Sequence, residues 1–253
     1  RTLRTWDLTF LGIGAIIGTG IFVLTGKGAL TAGPALSISF LIAALCCGFA
    51  GLCYAEFASM APIAGSAYTY SYIAFGEIIA FIIGWDLILE YALSAATVAV
   101  GWSGYFVNLL DNFGIHIPTA LTTAAGTTPG VTSYFNLPAF LVVLIITWVI
   151  SMGITQTKRV NDTMVIVKLL VIILFIACTV WFIKPQNWHP FSPYGWYSHH
   201  NGTATGIIPG ASIVFFSFIG FDSVSSSAEE TINPSKTLPR GILLSLIIST
   251  ILY

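Results

Sequence analysis

One run of the chain has residue types that suit binding through the backbone: Gly12-Ile13-Gly14-Ala15-Ile16-Ile17-Gly18-Thr19-Gly20-Ile21-Phe22. Four of its nine leading residues are glycine. Each glycine costs a helix about 1 kcal/mol relative to alanine, so an unbroken helix is hard to justify here. An interruption at Gly18-Thr19-Gly20 would expose amide N–H groups on one side and carbonyls on the other. In lipid such groups must line a cavity or meet a ligand. The half-helix that starts at the break presents a positive dipole end, which suits a carboxylate. The half-helix that stops there offers carbonyls, which suit an ammonium. One break can therefore hold both ends of a zwitterion. A plainer reading also stands: Gly14 and Gly18, four apart, let two helices approach closely. A nucleotide site is excluded, because Gly20 to Gly26-Lys27 has one residue too many for a phosphate-binding loop and Gly28 follows the lysine.

A second run echoes the first. Residues Pro209 to Ser225 are apolar, with Gly220 near the middle followed by Asp222 and several serines. A carboxylate at membrane depth costs at least about 2.5 kcal/mol. Asp222 is therefore expected to face protein, water or an exposed helix end, unless it sits at the membrane boundary. Lys168 lies inside another apolar stretch. Burial penalises a charged amine, so a cavity-facing Lys168 can load and release a proton. Alternatively, its long stem snorkels to the headgroups. Asp86 and Glu90 lie one helical turn apart. Glu90 is expected to be deep, either as a partner for a proton or basic group or as a structural acid. Glu56 precedes an inner loop, 61–75, and reads as a packing or gating residue. Glu229 and Glu230 are expected to pair with Lys236 and Arg240.

The elements that carry these residues follow from composition. The 253 residues are 56% hydrophobic and only 8% charged. Soluble domains carry about a quarter charged residues, so the solvent for this chain is lipid. The net charge is -1 and no basic block occurs, which excludes nucleic acid as a partner. Cys46, Cys47 and Cys53 share one apolar stretch and Cys178 lies in another. None has zinc-ligand spacing, so all four read as small hydrophobes. His116, His189, His199 and His200 fall in loops. No metal cluster, cofactor motif or nucleophile–base pair appears in the apolar stretches, so no enzyme and no cofactor is expected.

About 20 apolar residues cross a bilayer. Six such stretches are legible, at 8–26, 34–60, 76–110, 137–154, 163–183 and 206–227. A seventh, 241–253, reads as too short to cross and as the start of a truncated span. With the N-terminus cytoplasmic, inner segments hold Arg1, Arg4, Lys158, Arg159, Lys236 and Arg240, and outer segments hold Lys27 and Lys184. That asymmetry favours this orientation. Trp181, Trp188 and Trp196 mark the outer boundary. Two interrupted spans, five apart, suggest an inverted-repeat transporter with its site between them. Residues 1–184 would form the first repeat, and 185–253 would begin the second.

Three segments, in this order and spacing, resemble the amino acid–polyamine–organocation superfamily, and most closely its cationic-amino-acid-transporter-like branch. They are Gly14 to Phe22, Tyr54 to Pro62 followed by Gly65 to Tyr70, and Phe218 to Asp222 with Glu229 to Ile242. The resemblance implies an all-α polytopic membrane protein with a 5+5 inverted-repeat fold, discontinuous first and sixth helices, and truncation in the seventh. It implies that the backbone amides of Gly18, Thr19 and Gly20 bind a substrate carboxylate, and that carbonyls near Ile16 and those of Phe216 and Ile219 accept its α-ammonium. Phe216 resembles an aromatic gate. Lys168 matches a lysine that stands in place of a sodium ion, which implies a proton-coupled amino acid carrier of the cell membrane. Lys168, Glu90 and Asp222 are the expected proton-coupling residues. The expected partners are an amino acid, a proton, the bilayer and the remaining C-terminal spans. Sodium coupling, exchange or a polyamine substrate stay open, as does, from a different class, a channel or membrane receptor.

Overall fold

The computed structural model describes residues 2–18, 20–123, 134–200 and 202–253, leaving aside the side chains of 154–158. Helix α1 covers Thr5–Ile16. Its first turn is closed by the Asp7 carboxylate, which accepts from the Arg4 N–H at 2.9 Å and complements the helix dipole. A wide π turn at Gly20–Leu24 leads into α2, Thr25–Ala32. Gly33, at φ +64°, ends α2 in a conformation that suits glycine. Helix α3 then runs Leu36–Met60 and stops before Pro62. Helix α4 is short, Ser66–Phe75, and Gly76 at φ +84° turns the chain into α5, Glu77–Asn112. Helices α6 and α7 are Leu137–Ser151 and Ile154–Thr179. Helix α8 is Ile207–Phe215. Two 3-10 segments follow, Phe216–Phe218 and Phe221–Glu230, then α9, Pro234–Leu252.

Five of these stretches are long and apolar enough to cross a membrane: Thr5–Met60 taken together, Glu77–Asn112, Arg159–Phe182, Ile207–Glu230 and Pro234–Leu252. Helix α5 has 36 residues, about 54 Å at 1.5 Å per residue, so it exceeds the roughly 30 Å hydrocarbon thickness. Phe81, Ile145 and Leu174 turn more than half their surface outward, as lipid-facing side chains do.

Several expectations need correction. The fourth stretch, expected at 137–154, forms a helix of only 15 residues, shorter than a normal span. Asn136 caps it by accepting the Ala139 N–H at 3.0 Å. The seventh is not too short. Asn233 in the left-handed region and Pro234 start α9 well before residue 241, and its 19 residues suffice to cross. The polar residues of its first turns hid this start, although Pro fits the first helical turn. The chain is also not purely helical. Strands β1 (Ser198–His200) and β2 (Thr203–Thr205) pair antiparallel, with Ser198 opposite Thr205. Glu229 and Glu230 form no ion pair with Lys236 or Arg240 among the described residues.

The chain divides into two compact units, Arg1–Gly84 with Asn161–Tyr253, and Trp85–Val160. The first holds the core, where Leu8, Phe218, Val224, Leu238 and Ile242 are fully enclosed. In the second, Asn136 is a hub. Its Oδ1 accepts from Ser103 Oγ at 2.7 Å, and its Nδ2 donates to the Thr122 carbonyl at 2.9 Å.

Candidate functional site

The regular ladder of α1 ends when the Ile17 N–H donates to the Ile13 carbonyl at 2.9 Å. Ile17 itself is extended, at φ -77° and ψ 98°, so the chain leaves the helix axis just before Gly18. Thr19 lies outside the described residues. The second interruption falls at Ile219, φ -59° and ψ 139°, and Gly220, φ +110°. Only glycine adopts that last conformation at little cost.

The two breaks abut. A Cβ on Gly20 would lie 2.4 Å from Ser217 Cβ and 2.6 Å from its Cα. A Cβ on Gly220 would lie 3.1 Å from both the Cβ and the carbonyl oxygen of Ala15. Each break glycine is thus seated on the other helix. At Gly20 the close approach alone excludes a side chain, whereas at Gly220 the positive φ acts together with the tight contact to Ala15.

Carbonyls released at the end of α1 are claimed by two side chains from remote parts of the chain. Lys168 Nζ, on α7, donates to the carbonyls of Gly14 at 2.9 Å and Ile17 at 2.6 Å. An ammonium here is also favoured by the negative end of the α1 dipole. The Tyr253 hydroxyl, just past α9, lies 2.9 Å from the Ile16 carbonyl and 2.7 Å from the Ser217 carbonyl. Its single proton serves one of them at a time. The tyrosine ring is fixed between Phe40 and Phe218, at centroid distances of 5.3 and 5.1 Å.

Of the expected binding residues, Ile16, Gly18, Gly20, Phe216 and Ile219 therefore gather at the two breaks. Ile16 is buried and its carbonyl is already in reach of Tyr253. The Phe216 carbonyl accepts from the Ile219 N–H at 3.3 Å, and the Phe216 ring is half-buried.

The expected proton-coupling residues are placed differently from one another. Lys168 points at the first break rather than snorkelling to a headgroup. Asp222 is buried just after the second break and accepts from Ser66 Oγ at 3.1 Å. Ser66 reaches it from an unusual φ of +53°, next to Gly65 at +123°. Glu90 is half-buried on α5, in the other compact unit. No group of three or more His, Cys, Asp or Glu among the described residues can hold a metal ion.

Residues 3–253 match the profile of the amino acid permease family. The chain belongs to this family. Similar proteins include the branched-chain amino acid permease BcaP of Bacillus subtilis (strain 168), 58% identical over the whole chain, which covers 53% of that relative. The methylthioribose transporter of the same organism is 50% identical, with 53% of it covered. Human cationic amino acid transporter 4 is 36% identical over the whole chain, and 39% of it is covered. The chain spans about half the length of the first two of these permease-family relatives. They are permeases and transporters, not enzymes, and this chain is a multi-pass membrane protein of the same family.

Sequence reasoning missed Tyr253, Ser217, Asn161 and Ser66. Asn161 belongs here because its Oδ1 lies against Gly14, 2.7 Å from where a Cβ would stand. Ser217 and Tyr253 are polar side chains on apolar stretches, Ser66 lies within the Gly65–Tyr70 segment and Asn161 just ahead of an apolar stretch, and the partners of all four are remote in the chain.

Proposed function

We propose that this chain supplies the first spans of a secondary active amino acid carrier, and that the two abutting breaks bind the substrate's zwitterionic head. The carboxylate would meet the amides at Gly18, Thr19 and Gly20, where a helix begins. The ammonium would meet carbonyls of Ile16, Phe216 and Ile219, replacing the Tyr253 hydroxyl at Ile16. The single observation that carries this reading is the seating of Gly20 on Ser217 and Gly220 on Ala15. Two unwound backbones face each other there at membrane depth, where freed peptide groups need partners. Lys168, bound to two carbonyls of the broken helix, is proposed to couple proton loading to the shape of that break. Asp222 and Glu90 are proposed as further proton-handling groups. The chain is read with its N-terminus cytoplasmic in the cell membrane. Residues 1–184 make one repeat and 185–253 begin its inverted copy, in a 5+5 fold completed by further spans.

Relatives named for branched-chain and cationic amino acids support the amino acid reading. A second reading is favoured by the relative named methylthioribose transporter. That name suggests a substrate without a zwitterionic head, which would use side-chain contacts rather than the paired backbone ends. Thermal-shift screening of the full-length carrier, followed by counterflow in proteoliposomes, separates the two. Stabilisation by a binder tracks its affinity and concentration. Stabilisation and exchange of neutral or cationic amino acids is the expected result. Binding and exchange of methylthioribose, with none for any amino acid, would replace the first reading with the second.

A further inference from the structure

Ahead of α1, the chain runs beside the segment that joins the second 3-10 stretch to α9. Leu3 and Thr231 form a parallel bridge. The N–H groups of Thr2 and Leu3 both donate to the Glu230 carbonyl, at 2.8 and 3.1 Å, and the Ile232 N–H donates to the Leu3 carbonyl at 2.9 Å. Leu3 is 7% exposed and Thr231 is fully buried. The Leu3 side chain joins the core that holds Leu8, Val224, Ala228 and Leu238. Beyond the bridge, side chains of α9, of residues 221–230 and of α1 fill the space left by glycines on the facing element. A Cβ on Gly12 would stand 2.5 Å from Ser245 Oγ and 3.0 Å from Val224. A Cβ on Gly241 would stand 2.7 Å from Leu8 Cβ. Such an interface moves as a unit, because close-packed interiors have low compressibility and transmit strain. Peptide groups and apolar packing hold this junction, and neither Glu229 nor Glu230 pairs with Lys236 or Arg240 there among the described residues. By contrast, the backbone leaves helix geometry at Ile17 in one strand of the body and at Ile219 and Gly220 in the other.

We propose that residues 2–3 and 230–232 are a permanent clasp. It makes α1 and residues 221–230 one moving body, which turns about the two adjacent breaks and does not let α1 peel away alone. The inference rests on the carrier reading, because it describes how the carrier opens on its N-terminal side.

The test uses the full-length carrier with its native cysteines replaced by alanine. Thr2→Cys and Glu230→Cys are introduced at the positions in register with the bridged pair, which leaves buried Leu3 and Thr231 untouched. Substrate counterflow is measured reduced, oxidised and re-reduced. The expected result is a disulfide that forms readily and leaves counterflow within about twofold of the reduced protein. Loss of transport on oxidation, restored by dithiothreitol, would overturn the clasp while leaving the carrier reading intact. Hydrogen exchange on the unmodified carrier covers the case in which the variant fails to fold. The Leu3 and Ile232 amides should exchange as slowly during substrate exchange as at rest. Acceleration of about tenfold or more, without the same change at Leu8, would show a clasp that opens. A reduced variant that folds, and an unmodified carrier that also exchanges no substrate, would count against the carrier reading instead.

Discussion

Replacing Gly20 with alanine tests the abutment on which the proposed site depends. The added Cβ would stand 2.4 Å from Ser217 Cβ, 2.5 Å from its Oγ and 2.6 Å from its Cα. Ordinary contact begins near 3.4 Å, so the two breaks must part by roughly 1 Å. Overpacking of this kind costs about 1–3 kcal/mol. The upper part of that range applies, because one of the crowded atoms is backbone and cannot rotate aside. If substrate binding needs both breaks together, the strain falls on the bound state and, at about 2–3 kcal/mol, weakens affinity about 30- to 150-fold. Thermal-shift titration of the full-length carrier measures this, with proteoliposome uptake as the functional readout. Ser217→Gly in the same background removes the Cβ and Oγ contacts but leaves Cα, so it should recover part of the loss. A coupling of about 1 kcal/mol or more between the two substitutions is expected. Gly20→Ala with parental affinity and melting, or strictly additive substitutions, would refute the reasoning.

Three further outcomes follow from the same geometry. Lys168→Met keeps the length of the stem but removes the donors to Gly14 and Ile17. Hydrogen bonds from a charged group contribute about 1.5–3 kcal/mol each, so the carrier should melt earlier and lose uptake driven by a pH gradient. Undiminished proton-driven accumulation in that variant would remove the coupling proposal. Gly220→Ala forces a side chain to φ +110° against the Ala15 carbonyl, which should cost about 1 kcal/mol or more and lower uptake in parallel. Ser66→Ala leaves the buried Asp222 carboxylate without its 3.1 Å donor. The expected loss is about 1–3 kcal/mol of stability by thermal unfolding, and an unchanged melting temperature would show that Asp222 is satisfied elsewhere.

Much of this protein is legible in its sequence. Composition placed it in lipid, because so few charges cannot hydrate a surface. The glycine spacing at 12–20 pointed to an interruption, and α1 does end at Ile16. The resemblance carried by Gly14–Phe22 and Phe218–Asp222 pointed to the family to which the chain belongs. Element ends were read less well. Helix α9 begins at Pro234, in a polar stretch that hydropathy alone assigns to a loop. The expected ion pairs of Glu229 and Glu230 do not form among the described residues, and peptide groups bridging to Leu3 hold that loop instead.

What the sequence determined by itself is therefore one-dimensional: which stretches prefer lipid, where glycine makes a helix unprofitable, and which apolar runs carry a charge. Such properties depend on residue type and near neighbours. Tertiary structure decided which groups meet. The seating of Gly20 on Ser217, the reach of Lys168 to Gly14 and Ile17, and the position of Tyr253 over Ile16 each join residues more than 150 apart in the chain. Only close packing of whole helices sets distances across such separations, because no local preference extends beyond a few turns.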